Sequence, residues 1–265
     1  MWMTYLETLS LILIIGIITW VYSLVRRDVS IVDSLWSLMF LAAAIFFAWN
    51  APEFNLFNGL VLALVAVWAL RLSIHLTVRN WGEPEDRRYQ EIRRNNEPYF
   101  SIKSLYIIFG LQGLLAWIIS IPLLFSLTLR TSFHWLDLFA VMLWLVGFIF
   151  EAMSDYQLLR FKRNENNRGK VLDTGLWRYS RHPNYFGEFC IWWGFFLLAV
   201  PAGGWWTIYA PILMSFLLLK VSGVVLMEKD IGSRRPEYRD YIERTNAFFP
   251  GRPKQAVHLV MGEQS

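Results

Sequence analysis

Seven apolar runs, at about residues 5–25, 31–49, 56–78, 105–128, 135–155, 185–200 and 204–227, constrain this chain more than anything else in it. A helix crossing a bilayer needs roughly 20 such residues, because its backbone polar groups must be satisfied within the segment itself. Runs of this kind consume more than half of the 265 residues and leave short loops and a polar C-terminal stretch. The expected architecture is therefore all-α, a polytopic membrane protein of about seven transmembrane helices. One membrane-embedded domain is expected over 1–254. Four spans fall in 1–128, three spans with loops and tail fall in 135–254, and a flexible tail is expected over 255–265. The first run lacks a basic leader and a small-residue cleavage site, so it reads as a retained span and not as a cleaved signal.

Orientation follows from the basic residues, which concentrate on the cytosolic side of membrane proteins. The first loop carries Arg26 and Arg27. The third, fifth and C-terminal stretches carry most of the rest, which puts 22 of the 25 lysines and arginines on one side. The alternate loops hold only Arg130. An odd number of spans then places the N-terminus outside and the C-terminus in the cytosol. The segment from Glu228 to Gly251, with Tyr238, Tyr241, Phe248 and Phe249 among its charges, suggests short helices against the membrane face.

The composition, 55% hydrophobic and 17% aromatic with a mean hydropathy of +0.36, agrees with a lipid solvent. A net charge of +4 in such a chain, with fourteen tryptophans, points to anionic headgroups or a phosphate-bearing cofactor and not to nucleic acid. The single cysteine, Cys190, leaves no internal disulfide and no cysteine-based metal cluster. Oligomeric state is not written in the sequence, and a monomer is assumed.

Ionisable groups inside apolar runs are costly and ask for an explanation. In the third run Trp68, Arg71, His75 and Arg79 are spaced three, four and four, which puts them on one helical face. That face is either a set of snorkelling cations with a hydrogen-bonded histidine or a wall of a binding site. Asp33, Trp36 and Ser37 share a face near the start of the second run. Asp33 is either a helix-start residue interacting with the dipole or a proton donor. The fifth run continues into EAMSDYQLLRFKRN, where a continuous helix would carry Glu151, Asp155 and Lys162 out of the membrane. Salt bridging to neighbours and cofactor binding both fit, since acids can accept from hydroxyls while cations hold phosphates.

The most specific segment is GLWRYSRHPNYFGE, residues 175–188, followed by Trp192 and Trp193. It offers Arg178, Arg181, His182, Asn184, Tyr185 and Glu188 close together, and Pro183 turns the residue before it away from helix and favours a helix starting just after it. Zinc ligation fails for want of neighbouring histidine or cysteine ligands.

With VDSLWS, WALRLSIHL, EDRRY, EAMSDYQ, GLWRYSRHPNYFGE and YRDYIERTNAFFPG, most of the chain resembles the steroid 5-alpha-reductase family, and within it the DUF1295 branch. The same superfamily contains sterol C14 and C7 reductases and isoprenylcysteine carboxyl methyltransferases. The resemblance implies NADPH bound from the cytosolic side by Arg71, Asp155, Asn184 and Glu188. Lys162 stands where the family has a basic residue, and Glu151 where steroid reductases have asparagine. The glutamine–glutamate pair and tyrosine of steroid reductases are replaced here by Asp33 and Trp68, so cofactor and reaction type carry over better than a steroid substrate. A tryptophan donates a hydrogen bond but does not exchange a proton readily.

The expectation is thus an oxidoreductase of the bacterial inner membrane that uses NADPH to reduce an activated C=C bond in a lipid-soluble substrate, steroid-like or an unsaturated lipid. Glu188, Asp33 and Trp68 are the candidate catalytic residues. Arg71, Arg79, Glu151, Asp155, Lys162, Arg178, Arg181, His182, Asn184, Tyr185 and Glu188 are the candidates for the cofactor, and Trp36, His75 and Trp192 for the substrate. Lipids are the other expected partners. The alternative is a methyltransferase using S-adenosylmethionine on a lipid or prenylated thiol, although the tandem glutamates of that class are reduced here to Glu228. A transporter or lipid-binding scaffold leaves the acids and cations of 151–188 unexplained.

Overall fold

The computed structural model describes residues 1–221 and 237–254. Among them every regular element is helical, and six helices are long and apolar enough to cross a membrane. Three come first, α1 (Trp2–Arg26), α2 (Ile31–Trp49) and α3 (Leu56–Asn80). After the short polar α4 (Arg87–Asn95) come α5 (Phe100–Ile119), α6 (Ile121–Thr128), α7 (Trp135–Arg163) and α8 (Pro183–Ala199).

The fourth apolar run departs from expectation. It is helical from Phe100, earlier than its hydrophobicity suggests, and it breaks at Ser120, whose N–H donates to both Ala116 and Trp117 carbonyls. Pro122 supplies the reason, because it has no N–H and sits at the first turn of α6. The seventh run opens as a 3-10 segment, Gly204–Ile208, continues as α9 (Tyr209–Phe216) and passes into a π turn, Leu217–Val221. The remainder of that run, Glu228 and the tail expected over 255–265 lie outside the described residues. The polar stretch before the end does form a helix, α10 (Glu237–Arg244).

The chain forms two compact units, Met1–Met142 with Trp192–Leu213, and Leu143–Ile191 with Met214–Ser265. The division passes through α7 and α8. In the first unit α2 packs on α3, α1 and α5, and its core residues Val32, Met39, Phe40 and Phe47 are fully buried together with Val65 and Trp68 of α3. Asn55 caps α3, accepting from the Phe57 and Asn58 amides, while Asn58 reaches the Leu127 carbonyl.

Arg130, the one basic residue in loops 50–58, 129–134 and 201–204, is buried. Its guanidinium donates to both Asp137 oxygens at 3.1 and 2.7 Å and to the Leu198 carbonyl at 3.0 Å, and it lies 4.1 Å over the Phe57 ring. Asp137 cancels its charge, so the exception to the charge pattern is local and structural.

In the second unit α7 and α8 cross at glycines. A Cβ on Gly187 would stand 2.5 Å from both the Gly147 carbonyl oxygen and the Glu151 amide, and one on Gly147 would stand 2.5 Å from the Gly187 carbonyl oxygen. Only hydrogen fits at either position. Helices in lipid gain little from apolar burial against one another, so contact this close supplies dispersion that larger residues would forfeit.

Candidate active site

The glycine crossing fixes what faces what in the second unit. The two helices run antiparallel there, with Gly147 against Gly187 and Ile191, and Glu151 against Gly187. One turn further Asn184 Nδ2 donates to Asp155 Oδ1 at 3.3 Å. Glu151 and Asp155, one turn apart on α7, therefore meet the face of α8 that bears Asn184 and Glu188, also one turn apart. Glu151, Asp155 and Glu188 are all buried. Trp135–Arg163 is continuous, as the sequence implied, but its periodicity divides the expected residues. The acids point into the packing while Lys162 at the far end is exposed.

The asparagine is informative atom by atom. Its Nδ2 must be the atom facing Asp155, since an amide oxygen has nothing to donate to a carboxylate. That leaves Oδ1, which is buried and accepts no hydrogen bond among the described residues. A buried acceptor without a donor among the described residues is uncommon in a folded protein and asks for an explanation.

Residues 175–183 are held from two sides. Gly175 has a φ of +61°, and any side chain there would strike the Gln157 amide. Gln157 in turn accepts from the Leu176 N–H at 3.0 Å, and the Trp177 indole donates to the Ser154 carbonyl at 3.1 Å. From the other side Tyr241 donates to the Trp177 carbonyl and Ser180 to the Phe248 carbonyl. Burial raises the Tyr241 pKa, and neighbouring Tyr238 and Asp173 add to it against Arg181 and Arg244. The phenol therefore stays protonated as the donor.

Arg181, expected on a phosphate, is buried, and its Nη1 donates to the Ile242 and Thr245 carbonyls at 3.0 and 2.6 Å. It completes the C-terminal end of α10, where carbonyls lack helical partners. Arg178 is exposed. His182 is buried and stacks on Tyr185, with ring centroids 5.6 Å apart and planes within 6°.

In the first unit the structure brings together Trp68 and Trp192, both fully buried, with ring centroids 5.6 Å apart and perpendicular planes. Phe40 touches both, and Trp36 packs edge-on against Phe40. Neither Trp68 nor Trp192 has an acceptor for its indole N–H among the described residues. Arg71, His75 and Arg79 follow Trp68 down α3, each half-buried, and Arg79 Nε donates to Asn80.

Asp33 sits in the first turn of α2, and Ser30 holds the N-cap position. Its carboxylate accepts from Arg88 at 2.8 Å and from the Tyr89 hydroxyl at 2.5 Å. Burial opposes the charge of Arg88, but Asp33 and Asp86 overcome it and raise its pKa. The Tyr89 pKa is raised as well, by burial and then by Asp33. With both oxygens engaged as acceptors, Asp33 ties α4 to the start of α2. Glu85 does likewise through Arg93 and the Val29 amide. Sequence reasoning valued Asp33 and passed over Arg88 and Tyr89. The signal was present, because EDRRY sets two acids beside two arginines and a tyrosine within one short loop.

Residues 19–245 match the family described as "Protein of unknown function (DUF1295)". The chain belongs to the DUF1295 family. Among curated proteins it is similar to "Uncharacterized protein C594.04c" of Schizosaccharomyces pombe, 25% identical over 272 residues that cover 91% of this chain and 78% of the yeast protein. No solved structure matches the chain. That relative is from a yeast, so a bacterial inner-membrane address does not follow from the likeness.

Proposed function

We propose that this DUF1295 protein is a membrane-embedded, NADPH-dependent reductase of an activated C=C bond in a lipid-soluble substrate, with its basic loops and cofactor side facing the cytosol. The observation that carries the reading is the buried Asn184 Oδ1, without a donor among the described residues, beside Asp155, Glu151 and Glu188. The motifs SDY and PNYFGE, through which the chain resembles the steroid 5-alpha-reductase family, supply these same residues.

The residues present fit a nicotinamide dinucleotide. A primary carboxamide offers the N–H that Asn184 Oδ1 lacks, and Asp155 fixes the orientation of the asparagine by accepting at its other end. Carboxylates such as Asp155 and Glu151 suit ribose hydroxyls, which donate to them. Exposed Arg178 and Lys162 suit phosphates. NADPH supplies the reducing equivalents when bound. Reduction of a conjugated double bond also needs a proton for the alpha carbon, and Glu188, buried on the face shared with Asn184, is the candidate to hold or relay it. Asp33, accepting from Arg88 and Tyr89, has no part in this proposal. The substrate is named only by class, since a fold resemblance supplies no more.

The test is thermal unfolding of detergent-purified protein titrated with NADPH and, separately, with S-adenosylmethionine. At a hundred times Kd a ligand specific to the native state contributes about 2.7 kcal/mol, which raises Tm by about 5–10 °C. Asn184→Leu should abolish the NADPH shift, and Glu188→Gln should depress turnover. Stabilisation by S-adenosylmethionine alone, or an NADPH shift indifferent to Asn184→Leu, refutes the proposal and favours a methyltransferase or a non-enzymatic role.

A further inference from the structure

A second feature of α7 stands apart from the acid–amide cluster and needs none of the preceding reading. On the face of α7 opposite Glu151 and Asp155, Val146, Ile149, Met153 and Tyr156 are exposed at spacings of three and four. They form one apolar stripe along the helix. The next residue on that stripe is Arg160, exposed and without hydrogen bond or ion pair among the described residues. Arg160 stands at a half-open cavity of about 440 Å³, lined by Tyr156, Phe161, Asn164, Asn167 and Thr174 among others. An apolar track thus leads into a largely apolar recess that also presents Asn164, Asn167, Thr174 and the Arg160 guanidinium.

The depth of the recess agrees. α7 has 29 residues and is about 43 Å long at 1.5 Å per residue, against a hydrocarbon core of about 30 Å. Counted from exposed Trp135 at its start, about 20 residues of α7 lie in hydrocarbon, and the helix emerges near Ser154. Met153 and Tyr156 then straddle the acyl–glycerol boundary, where tyrosine is favoured, and Arg160 lies at the level of lipid phosphates.

We propose that this cavity binds one anionic phospholipid. Its phosphate diester pairs with the Arg160 guanidinium, its glycerol and headgroup hydroxyls occupy the recess by Asn164, Asn167 and Thr174, and one acyl chain lies along Met153 and Ile149. Arginine suits this chemistry because its fork of donors meets two phosphate oxygens at once. The volume is in the range of small-molecule sites. Gln157, which also lines the cavity, holds the Leu176 amide against Gly175. A seated lipid would therefore brace the turn that leads into residues 175–183.

The phosphate group is shared by lipids and dinucleotides, and the experiment separates them. Full-length protein is analysed by native mass spectrometry in detergent after equilibration with phosphatidylglycerol, with phosphatidylcholine, and with phosphatidylglycerol plus excess NADPH. The expected result is one retained phosphatidylglycerol, preferred over phosphatidylcholine and not displaced by NADPH. Arg160→Ala should lower its occupancy about five- to tenfold, the weight of one cation at an anionic phosphate. Thr174→Trp, which keeps the charge and fills the recess at an exposed position, should do the same while leaving the unfolding temperature near that of the wild type. Equal retention in all three proteins, or displacement by NADPH, overturns the proposal.

Discussion

Gly187→Ala probes the crossing on which the second unit is built. The added methyl would lie 2.5 Å from the Glu151 amide and the Gly147 carbonyl oxygen and 2.7 Å from Glu151 Cβ. Two of these are backbone atoms and cannot swing aside. Ordinary non-bonded contact lies near 3.5 Å, so α8 must withdraw from α7 by about 1 Å, and a gap of that size forfeits a quarter to half of each contact's attraction. Over roughly 30 atom pairs at about 0.1–0.2 kcal/mol each, the loss is about 1–3 kcal/mol, within the usual range for overpacking. Alanine recovers up to about 1 kcal/mol by its better helix propensity, so the expected net destabilisation is about 1–2 kcal/mol.

Gly59→Ala supplies the opposite sign. Its methyl would meet only the Phe54 ring, at 3.9 and 4.0 Å, so the propensity gain stands and stability should rise by a few tenths to about 1 kcal/mol. Both variants, Gly147→Ala and the double substitution Gly147→Ala with Gly187→Ala are compared by thermal unfolding in one detergent. The double variant should lose less than the sum of its singles, because the first methyl has already opened the gap. If Gly187→Ala unfolds at or above the wild-type temperature, the helices do not approach as described and the placement of Asn184 against Asp155 loses its basis.

Two further perturbations bear on the first unit. Asp137→Asn leaves buried Arg130 without its counter-charge and should cost about 3–5 kcal/mol in unfolding experiments, while replacing both partners with apolar residues should recover much of that. Asp86 has a lowered pKa, since burial raises it but the hydrogen bond and charge of Arg88 lower it further. Such a group stabilises the fold above the unfolded carboxylate pKa of about 3.9, and the contribution disappears as pH falls through the lower folded value. Unfolding temperature should therefore drop below about pH 4, and Asp86→Asn should flatten that part of the profile; an unchanged profile would show that Arg88 does not engage Asp86 in solution.

What was legible in the sequence depended on the range over which each signal acts. The positions of six of the seven expected spans, the continuous Trp135–Arg163 helix and a helix start close to Pro183 come from local periodicity and local stereochemistry, and these were readable. Pro122 was readable too, yet hydrophobicity alone ran the fourth span straight through it. The roles of charged residues were not readable, because a charge states only that a partner is needed. Arg181 shows this well. Its sequence context beside Arg178 and His182 suits a phosphate, yet the carbonyls it meets come from a helix about sixty residues later.

The same reasoning explains why glycine spacing carried so much hidden information. In a soluble domain, burial of large apolar side chains drives helix association and marks the contact face by hydrophobicity. Over residues 138–150 every face of α7 is apolar, so hydrophobicity there says nothing about which face meets α8. The distinguishing mark is the absence of a side chain at Gly147 and Gly187, and each absence has meaning only once the other is known to oppose it. That opposition places Asn184 at Asp155 and leaves its other amide atom without a donor among the described residues. The candidate site is thus a consequence of two missing methyl groups on helices about forty residues apart, a pairing that one sequence read along its length has no means to display.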